Sequence, residues 1–189
     1  MPDAGAQVML QAYRHTASSD APEPSRRRLH ANMRPLRFTC RAEMQSPPAT
    51  IAERILDLNN WTNFRGYGCL PGIRAARFER RTPEVVGTRI AVVNTDGSTH
   101  TEEITEWNPS HRVVLRMQDF SPPLAHLATH MDEVWTFTVG DGRTQVERSF
   151  AIHPRSWFTG LMLRLIAPML RRAIDRHLAD LRKAEWAER

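Results

Sequence analysis

The sequence predicts an α+β fold in which a seven-stranded antiparallel sheet wraps around one long C-terminal helix. Short segments of alternating apolar and polar residues follow one another between residues 73 and 153, as consecutive strands do. Two of the turns between them carry Asp-Gly, at Asp96-Gly97 and Asp141-Gly142, a pair typical of tight hairpins. The C-terminal residues then carry apolar side chains at helical spacing.

Residues 1–35 are rich in Pro, Ser, Ala and Arg and show no apolar periodicity. A segment of this composition buries too little apolar surface to fold, so we interpret it as a disordered basic leader. Its arginine triplet at residues 26–28 is compatible with a nucleic-acid or lipid contact, but a solvated tail is the simpler interpretation. The folded domain is expected at residues 36–187.

The domain begins with LRFTCRAEMQ (Leu36–Gln45), whose apolar side chains alternate with arginines as in a strand. The next segment, SPPATIAERILDLNNW, offers Ser46 as a helix cap and prolines for the first helical turn. Ile51 and Ile55 then recur at helical spacing. The following NNWTNFRGYGCLPG predicts a second short helical turn that leads into a glycine-rich loop, so two short helices follow the first strand.

Six further segments have the alternation of strands and are joined by short turns. They are IRAARFERR, TRIAVVNT, THTEEITEW, HRVVLRMQDF, HMDEVWTFTV and RTQVERSFAIH. Because neighbours in sequence pair across tight turns, they predict an antiparallel meander, and the first strand makes the seventh.

The last helix is predicted from about Pro154 to Trp186, with Pro168 inside it as an expected kink. Its apolar face comprises Phe158, Met162, Leu165, Ile166, Met169, Leu170, Ile174, Leu178 and Leu181.

The charge pattern limits the classes of partner. Lys and Arg number 26 against 21 acidic residues, for a net charge of +5, and the excess lies in the leader and on the last helix. Nucleic-acid-binding domains concentrate positive charge on a folded face among aromatic residues. We therefore expect no specific nucleic-acid binding, whereas weak association with an anionic membrane surface is compatible with this charge.

The compartment is predicted from what the sequence lacks. No run approaches the length of a membrane-spanning helix, and the start of the sequence lacks a secretory pattern. Cys40 and Cys69 have no paired spacing and predict no disulfide framework. We therefore predict a cytoplasmic protein.

The order of elements resembles the polyketide cyclase/dehydrase and lipid-transfer superfamily, also called START-like or SRPBCC, which includes the birch-pollen allergen fold. The resemblance covers about Leu36 to Trp186 and rests on SPPATIAERILDLNNWTNF, VVGTRI, EEITEWNPSHRVVLR, DEVWTFTVGDGRTQVERSF and APMLRRAIDRHLADLRKAEW. It implies the helix-grip arrangement, with a cavity between sheet and helix. Members bind lipids, sterols, polyketides or plant hormones, and some catalyse cyclisation or dehydration, so the resemblance implies an architecture more than an activity.

Strand parity points to two charged side chains in that cavity. Glu133 shares a face with Trp135 and Phe137, and Arg148 shares a face with Phe150 on the next strand. Counting back from the hairpin places positions that sum to about 282 opposite one another, so Glu133 lies diagonally from Arg148, within reach of long side chains.

Two interpretations of this pair remain open. It is either a salt bridge that fastens the sheet wall with both ends reaching water, or a functional pair. In the functional interpretation, Arg148 holds an anionic or carbonyl oxygen of a ligand, and Glu133 acts as an acceptor or general base with a raised pKa.

The other candidate ligand-binding residues come from the helices. Trp61 and Phe64 occupy the short helices that would close one end of the cavity, as a gate or as core. Met162, Leu165, Ile166 and Met169 are predicted to line the cavity from the long helix. His177 could also point into it, although a core or surface position is the usual one for such a residue.

No metal site and no cofactor are predicted. His126 and His130 have the spacing of two zinc ligands on a helix, but the predicted meander places His130 on a strand and His126 in the loop before it. The GYGCLPG loop lacks the Lys-Ser/Thr and the helix of a phosphate loop.

The function predicted first is binding, with or without transport, of a hydrophobic or amphipathic small molecule such as a lipid, quinone or polyketide. The alternative is a cyclase or dehydratase on polyketide-type substrates that uses Glu133 and Arg148. A second alternative is a lipid-transfer module that associates with anionic membranes. The sequence predicts neither the oligomeric state nor whether the protein is an enzyme.

Overall fold

The computed structural model describes residues 34–187, which form one sheet and its covering helices. The elements in chain order are β1 (Leu36–Met44), α1 (Pro48–Leu56), a 3-10 helix (Leu58–Asn63), β2 (Ile73–Arg80), β3 (Arg89–Asn94), β4 (Thr99–Asn108), β5 (Arg112–Gln118), α2 (Leu124–Leu127), β6 (Ala128–Gly140), β7 (Arg143–Pro154) and α3 (Trp157–Ala187). Nearly all of the predicted leader lies outside the described residues.

All neighbouring strands pair antiparallel, in the order β1-β7-β6-β5-β4-β3-β2. The predicted seven-stranded fold is confirmed, and β1 joins the end of the meander by pairing with β7, with Leu36 opposite Ile152. The β6–β7 register differs by one residue from the count made on the sequence. Gly140 rather than Val139 pairs with Arg143, and Glu133 is therefore opposite Phe150.

The first helix begins one residue later than its predicted cap. Pro47 occupies the N-cap position, no side chain caps the helix, and Ser46 instead accepts a hydrogen bond from Thr144 Oγ1 through its carbonyl. Ile51 and Ile55 are buried in the hydrophobic core. The 3-10 helix starts where the Asp57 carboxylate accepts from the Asn59 amide, so Asp57 separates two helical segments instead of joining them.

The long helix packs its inner side into the curved sheet. Leu163, Ala173, Ile174 and Leu178 are each at most 3% exposed, and the Cys40 thiol on β1 donates to the Arg171 carbonyl of the helix. Pro168 lies inside the helix, which continues from Trp157 to Ala187. Within residues 34–187, no helix has both the length and the apolar content needed to cross a bilayer.

The first half of the long helix carries a second apolar side, which faces outward. Its exposed side chains are Trp157, Phe158, Leu161, Met162 and Leu165. This corrects the prediction for Met162 and Leu165, because at 3.6 residues per turn Leu165 lies roughly 200° around the helix from the buried Leu163. We call these five residues the outer apolar stripe.

Candidate ligand-binding cavity

A cavity of about 210 Å³ lies between the concave face of the sheet and helix α3. Most of its walls are apolar. The lining side chains include Met44, Ile51, Ile55, Trp61, Phe64, Leu115, Met117, Phe120, Leu124, Met131, Trp135, Phe150, Leu170, Ile174 and Leu181. Strands β1, β5, β6 and β7 supply one wall because their inward positions alternate with solvent-facing ones, as the burial along β6 shows.

Glu133 and Arg148 meet inside this wall. Arg148 donates from Nε to Glu133 Oε1 at 2.7 Å, and its Nη2 lies 2.5 Å from the same oxygen. Only 7% of the Arg148 side chain and 4% of the Glu133 side chain are exposed. The predicted diagonal contact is therefore present, but the expectation that both ends of the pair reach water is wrong.

The Arg148 guanidinium is also held by aromatic rings. It lies 4.1 Å from the centre of the Trp135 ring and 5.6 Å from that of Phe150. Cation–π contacts of this kind stabilise a cation most where water is excluded. Trp135 pairs directly with Arg148 across the two strands, so the register itself places the ring against the guanidinium.

His177 completes the polar group from the helix side. Its Nδ1 lies 2.9 Å from Arg148 Nη1, and the imidazole packs nearly perpendicular to the Phe64 ring, with ring centres 5.7 Å apart. A guanidinium can only donate, so Nδ1 must be the acceptor and the proton of the neutral ring resides on Nε2. Burial, together with the charge of Arg148, lowers the pKa of His177 to about 3, which keeps the ring in this neutral form.

The Nε2–H group of His177 has no acceptor among residues 34–187, although His177 lines the cavity. We call Glu133, Arg148 and His177 the polar triad. Burial raises the pKa of Glu133, and the nearby Glu102 adds to this effect, while Arg148 opposes it. The triad thus presents one neutral donor beside an ion pair whose two members satisfy each other.

A second polar pair on β4 was missed by sequence reasoning. Glu102 is 5% exposed, its Oε1 lies 3.1 Å from His100 Nε2, and both side chains line the cavity. The sequence carries a signal for this pair. His100, Glu102 and Ile104 are spaced two residues apart and therefore share one face of β4, and Ile104 is fully buried. The cavity therefore has polar groups on two walls.

The structure brings together six of the eleven predicted ligand-binding residues. Trp61, Phe64, Glu133, Trp135, Arg148 and Phe150 line the cavity. Trp61 is fixed by donating from Nε1 to the Ile55 carbonyl at 2.9 Å.

The other five predicted residues lie elsewhere. Phe137 is buried in the core but is not part of the cavity wall. Met162, Leu165, Ile166 and Met169 also fall outside the lining, since the helix turns Leu170, Ile174, His177 and Leu181 toward it instead. Met169 packs against the glycine-rich loop, where its sulfur lies 3.7 Å from Cys69 Sγ.

Comparison with known proteins places this geometry in context. The family model described as polyketide cyclase/dehydrase and lipid transport matches residues 35–184. A search of curated proteins finds no match.

Solved structures share the fold at low sequence identity. A protein from Thermus thermophilus has a TM-score of 0.61 at 15% identity, over 81% of this chain and 99% of that chain. The Zhui aromatase/cyclase from Streptomyces sp. R1128 has a TM-score of 0.60 at 12% identity, over 78% of this chain and 93% of that chain. A START superfamily protein from Mycobacterium smegmatis has a TM-score of 0.55 at 11% identity, over 77% of this chain and 98% of that chain. At these identities the likeness concerns the fold alone.

Proposed function

The chain belongs to the polyketide cyclase/dehydrase and lipid transport family, and on that premise we propose that its cavity binds a hydrophobic or amphipathic small molecule. The observation that carries the proposal is a mostly apolar cavity that contains the buried polar triad, in which His177 Nε2–H has no acceptor among the described residues. Sites of this kind bind the apolar body of a ligand through their walls and orient it through a few polar groups.

The triad favours a ligand that carries a neutral acceptor oxygen. The Nε, Nη1 and Nη2 atoms of Arg148 each direct one N–H group at Glu133 or His177, and the Glu133 carboxylate already lies against the guanidinium charge, so a second anion would gain little from Arg148. The His177 Nε2–H group is a neutral donor with no acceptor among the described residues, which suits a carbonyl or hydroxyl oxygen of a ligand. Among lipids, quinones and polyketides, those with a carbonyl on a flat or branched apolar body fit this description.

The cavity volume limits the size of the bound part. Ligand pockets commonly enclose about 300–1,000 Å³, whereas this cavity holds about 210 Å³. We therefore expect it to enclose a small aromatic molecule, or the head of a larger one whose chain passes between helix and sheet.

A matched pair of variants on helix α3 tests the binding proposal. Ile174→Trp fills the cavity from a lining position, whereas Leu165→Trp adds the same side chain on the exposed side of the same helix. With 1,4-naphthoquinone as the probe, titration monitored by tryptophan fluorescence should show saturable binding to wild type and to Leu165→Trp, and none to Ile174→Trp. Circular dichroism checks that both variants are folded. Equal binding of naphthoquinone by the two folded variants would contradict the proposal.

His177→Leu tests the oxygen contact. The variant should bind naphthoquinone more weakly by about fivefold to tenfold, the worth of roughly one hydrogen bond, and should bind naphthalene as wild type does. Mass spectrometry of an organic extract from gently purified protein would then identify the natural ligand.

The enzymatic alternative rests on Glu133. Burial raises the pKa of this carboxyl, which suits proton abstraction next to a carbonyl, and His177 Nε2–H would hold the oxygen on which charge develops. The Glu133–Arg148 contact argues for the binding function, because the base would first have to leave its ion pair. Glu133→Gln should abolish turnover of a polyketide-type substrate while preserving its binding if the alternative holds, and should alter only affinity if it does not.

The outer apolar stripe supports the second alternative, association with anionic membranes. Trp157 is 77% exposed and Leu165 is 71% exposed, and the exposed Arg164 and Arg172 lie on the same helix. Aromatic and aliphatic side chains flanked by arginines are typical of helices that lie in a bilayer interface. Vesicles with phosphatidylglycerol should then sediment the protein at low salt, and Leu161→Ser with Leu165→Ser should release it. Equal sedimentation of the protein with neutral and with anionic vesicles would contradict an electrostatic contribution to membrane association.

A further inference from the structure

The outer face of the sheet, opposite the cavity, carries two histidines and an aspartate in one group. His130 and Asp132 lie two residues apart on β6 and so share a face, and His153 on β7 pairs directly with His130. Their side chains are between 22% and 29% exposed. One ligand atom of each residue lies within 4.8 Å of those of the other two.

The distances suit a metal ion better than hydrogen bonds. Asp132 Oδ2 lies 3.5 Å from His153 Nε2 and 3.8 Å from His130 Nε2, and both distances are too long for a hydrogen bond. Ligand atoms about 2.0–2.1 Å from a tetrahedral zinc ion lie roughly 3.3 Å from one another. The two separations between Asp132 Oδ2 and the imidazole nitrogens are thus a few tenths of an ångström longer than one shared ion requires.

Thr129 fixes the protonation pattern of His130. Its hydroxyl donates to the His153 carbonyl at 3.3 Å and also lies 3.0 Å from His130 Nδ1. With the single hydroxyl hydrogen directed at the His153 carbonyl, the hydroxyl oxygen accepts from His130 Nδ1–H, and Nε2 of this neutral tautomer keeps its lone pair. This nitrogen lies 3.8 Å from Asp132 Oδ2, and two acceptors so close together are satisfied by a cation between them.

Arg116 orients the third ligand. Its Nε donates to Asp132 Oδ1 at 2.8 Å, which turns Oδ2 toward the two imidazoles. Metal-binding imidazoles and carboxylates commonly have such partners on their other polar atom. Both Thr129 and Arg116 therefore act as positioning residues for the group.

We propose that His130, Asp132 and His153 bind a divalent transition-metal ion of the zinc type. Two imidazoles and one carboxylate are a ligand set that zinc accepts, and the partial exposure leaves the remaining coordination position to water. The two rings are nearly parallel with centres 4.0 Å apart, so at least one must rotate to aim its lone pair at the ion. The bound ion would join β6 to β7 on the face opposite the polar triad.

The test uses full-length protein without an affinity tag, stripped of metal with a chelator. Calorimetric titration with Zn²⁺ should give one ion per chain, and Co²⁺ should give the visible absorption of a nitrogen- and oxygen-ligated ion. His153→Gln, His130→Gln and Asp132→Asn should each weaken Zn²⁺ binding by more than about tenfold, and Thr129→Val should weaken it by about tenfold through His130.

Matched histidine variants make the test specific. His111→Gln and His126→Gln lie outside the group and His177→Gln lies in the cavity, so all three should bind Zn²⁺ as wild type does. Unchanged affinity in the His130→Gln/His153→Gln double variant, or no Zn²⁺ bound by wild type at micromolar concentration, would overturn the proposal. Circular dichroism confirms that each variant is folded.

Discussion

At the scale of single residues, Arg148 shows how a buried charge is tolerated. Its guanidinium donates to the Glu133 carboxylate and to the His177 imidazole, and it stacks over the Trp135 ring. Burial of such a group is expensive unless its polar atoms are paired. Because Arg148 meets those conditions through β6 and α3, it couples the sheet wall to the helix.

Removal of the guanidinium should therefore be costly. Arg148→Met leaves Glu133 buried without its partner, and we expect the free energy of unfolding to fall by about 3–5 kcal/mol, measured by urea denaturation. The double variant Glu133→Leu/Arg148→Met removes both charges and should recover most of that loss. A double variant no more stable than Arg148→Met would show that the pair is not coupled.

The neutral His177 predicts a particular loss of stability in acid. Its pKa is about 3 in the folded protein, below the ordinary value of 6.5. Between these values the unfolded chain binds a proton that the folded chain does not, so the free energy of unfolding falls as pH falls, by about 1.4 kcal/mol per pH unit. His177→Asn removes this contribution.

Urea denaturation of both proteins from pH 8 to pH 4 measures the effect. The stability difference between wild type and His177→Asn should be constant above about pH 7 and should shift in favour of the variant as pH falls. A difference that stays constant down to pH 4 would contradict a buried neutral imidazole.

At the scale of elements, the strands were predictable and the helix orientation only partly so. Alternation in sequence specifies which strand residues share a face, and it correctly placed Glu133 and Arg148 on the inner face of β6 and β7. In helix α3, apolar residues occupy two sides, and periodicity alone does not tell which side the sheet covers. For this reason the sequence predicts Leu165 in the cavity wall, whereas the structure has Leu170 there.

A pair of equal substitutions separates the two sides of helix α3. Leu178 is 1% exposed and Leu165 is 71% exposed. Leu178→Ala should lower the free energy of unfolding by about 2–5 kcal/mol, whereas Leu165→Ala should change it by less than about 0.5 kcal/mol. Thermal and urea denaturation measure both, and equal losses in the two variants would contradict the helix orientation.

At the scale of the whole molecule, the cavity is assembled from distant parts of the chain. Met44 comes from β1, Leu115 from the middle of the meander and Leu181 from the last helix. The sequence resemblance implied a cavity of this kind, but not its volume, the tautomer of His177 or the pairing of His100 with Glu102. These depend on packing distances between side chains far apart in sequence, which periodicity does not contain.

The extent of the folding unit can be tested by truncation. The described core side chains lie between Leu36 and Leu181, so a protein that starts at Arg34 should keep the free energy of unfolding within about 0.5 kcal/mol of the full chain. Its naphthoquinone affinity should also be unchanged. A truncated protein that unfolds at lower urea concentration would assign residues 1–33 a structural role.

The pairing of the first strand with the last bears on how the chain is made. Thr39 and Ser149 share a hydrogen bond although 110 residues separate them. A ribosome that adds roughly 5–20 residues per second needs on the order of ten seconds to supply β7, and β1 has no partner strand during that time. The charged side chains of Arg37, Arg41 and Glu43 on its other face would discourage aggregation of the nascent chain.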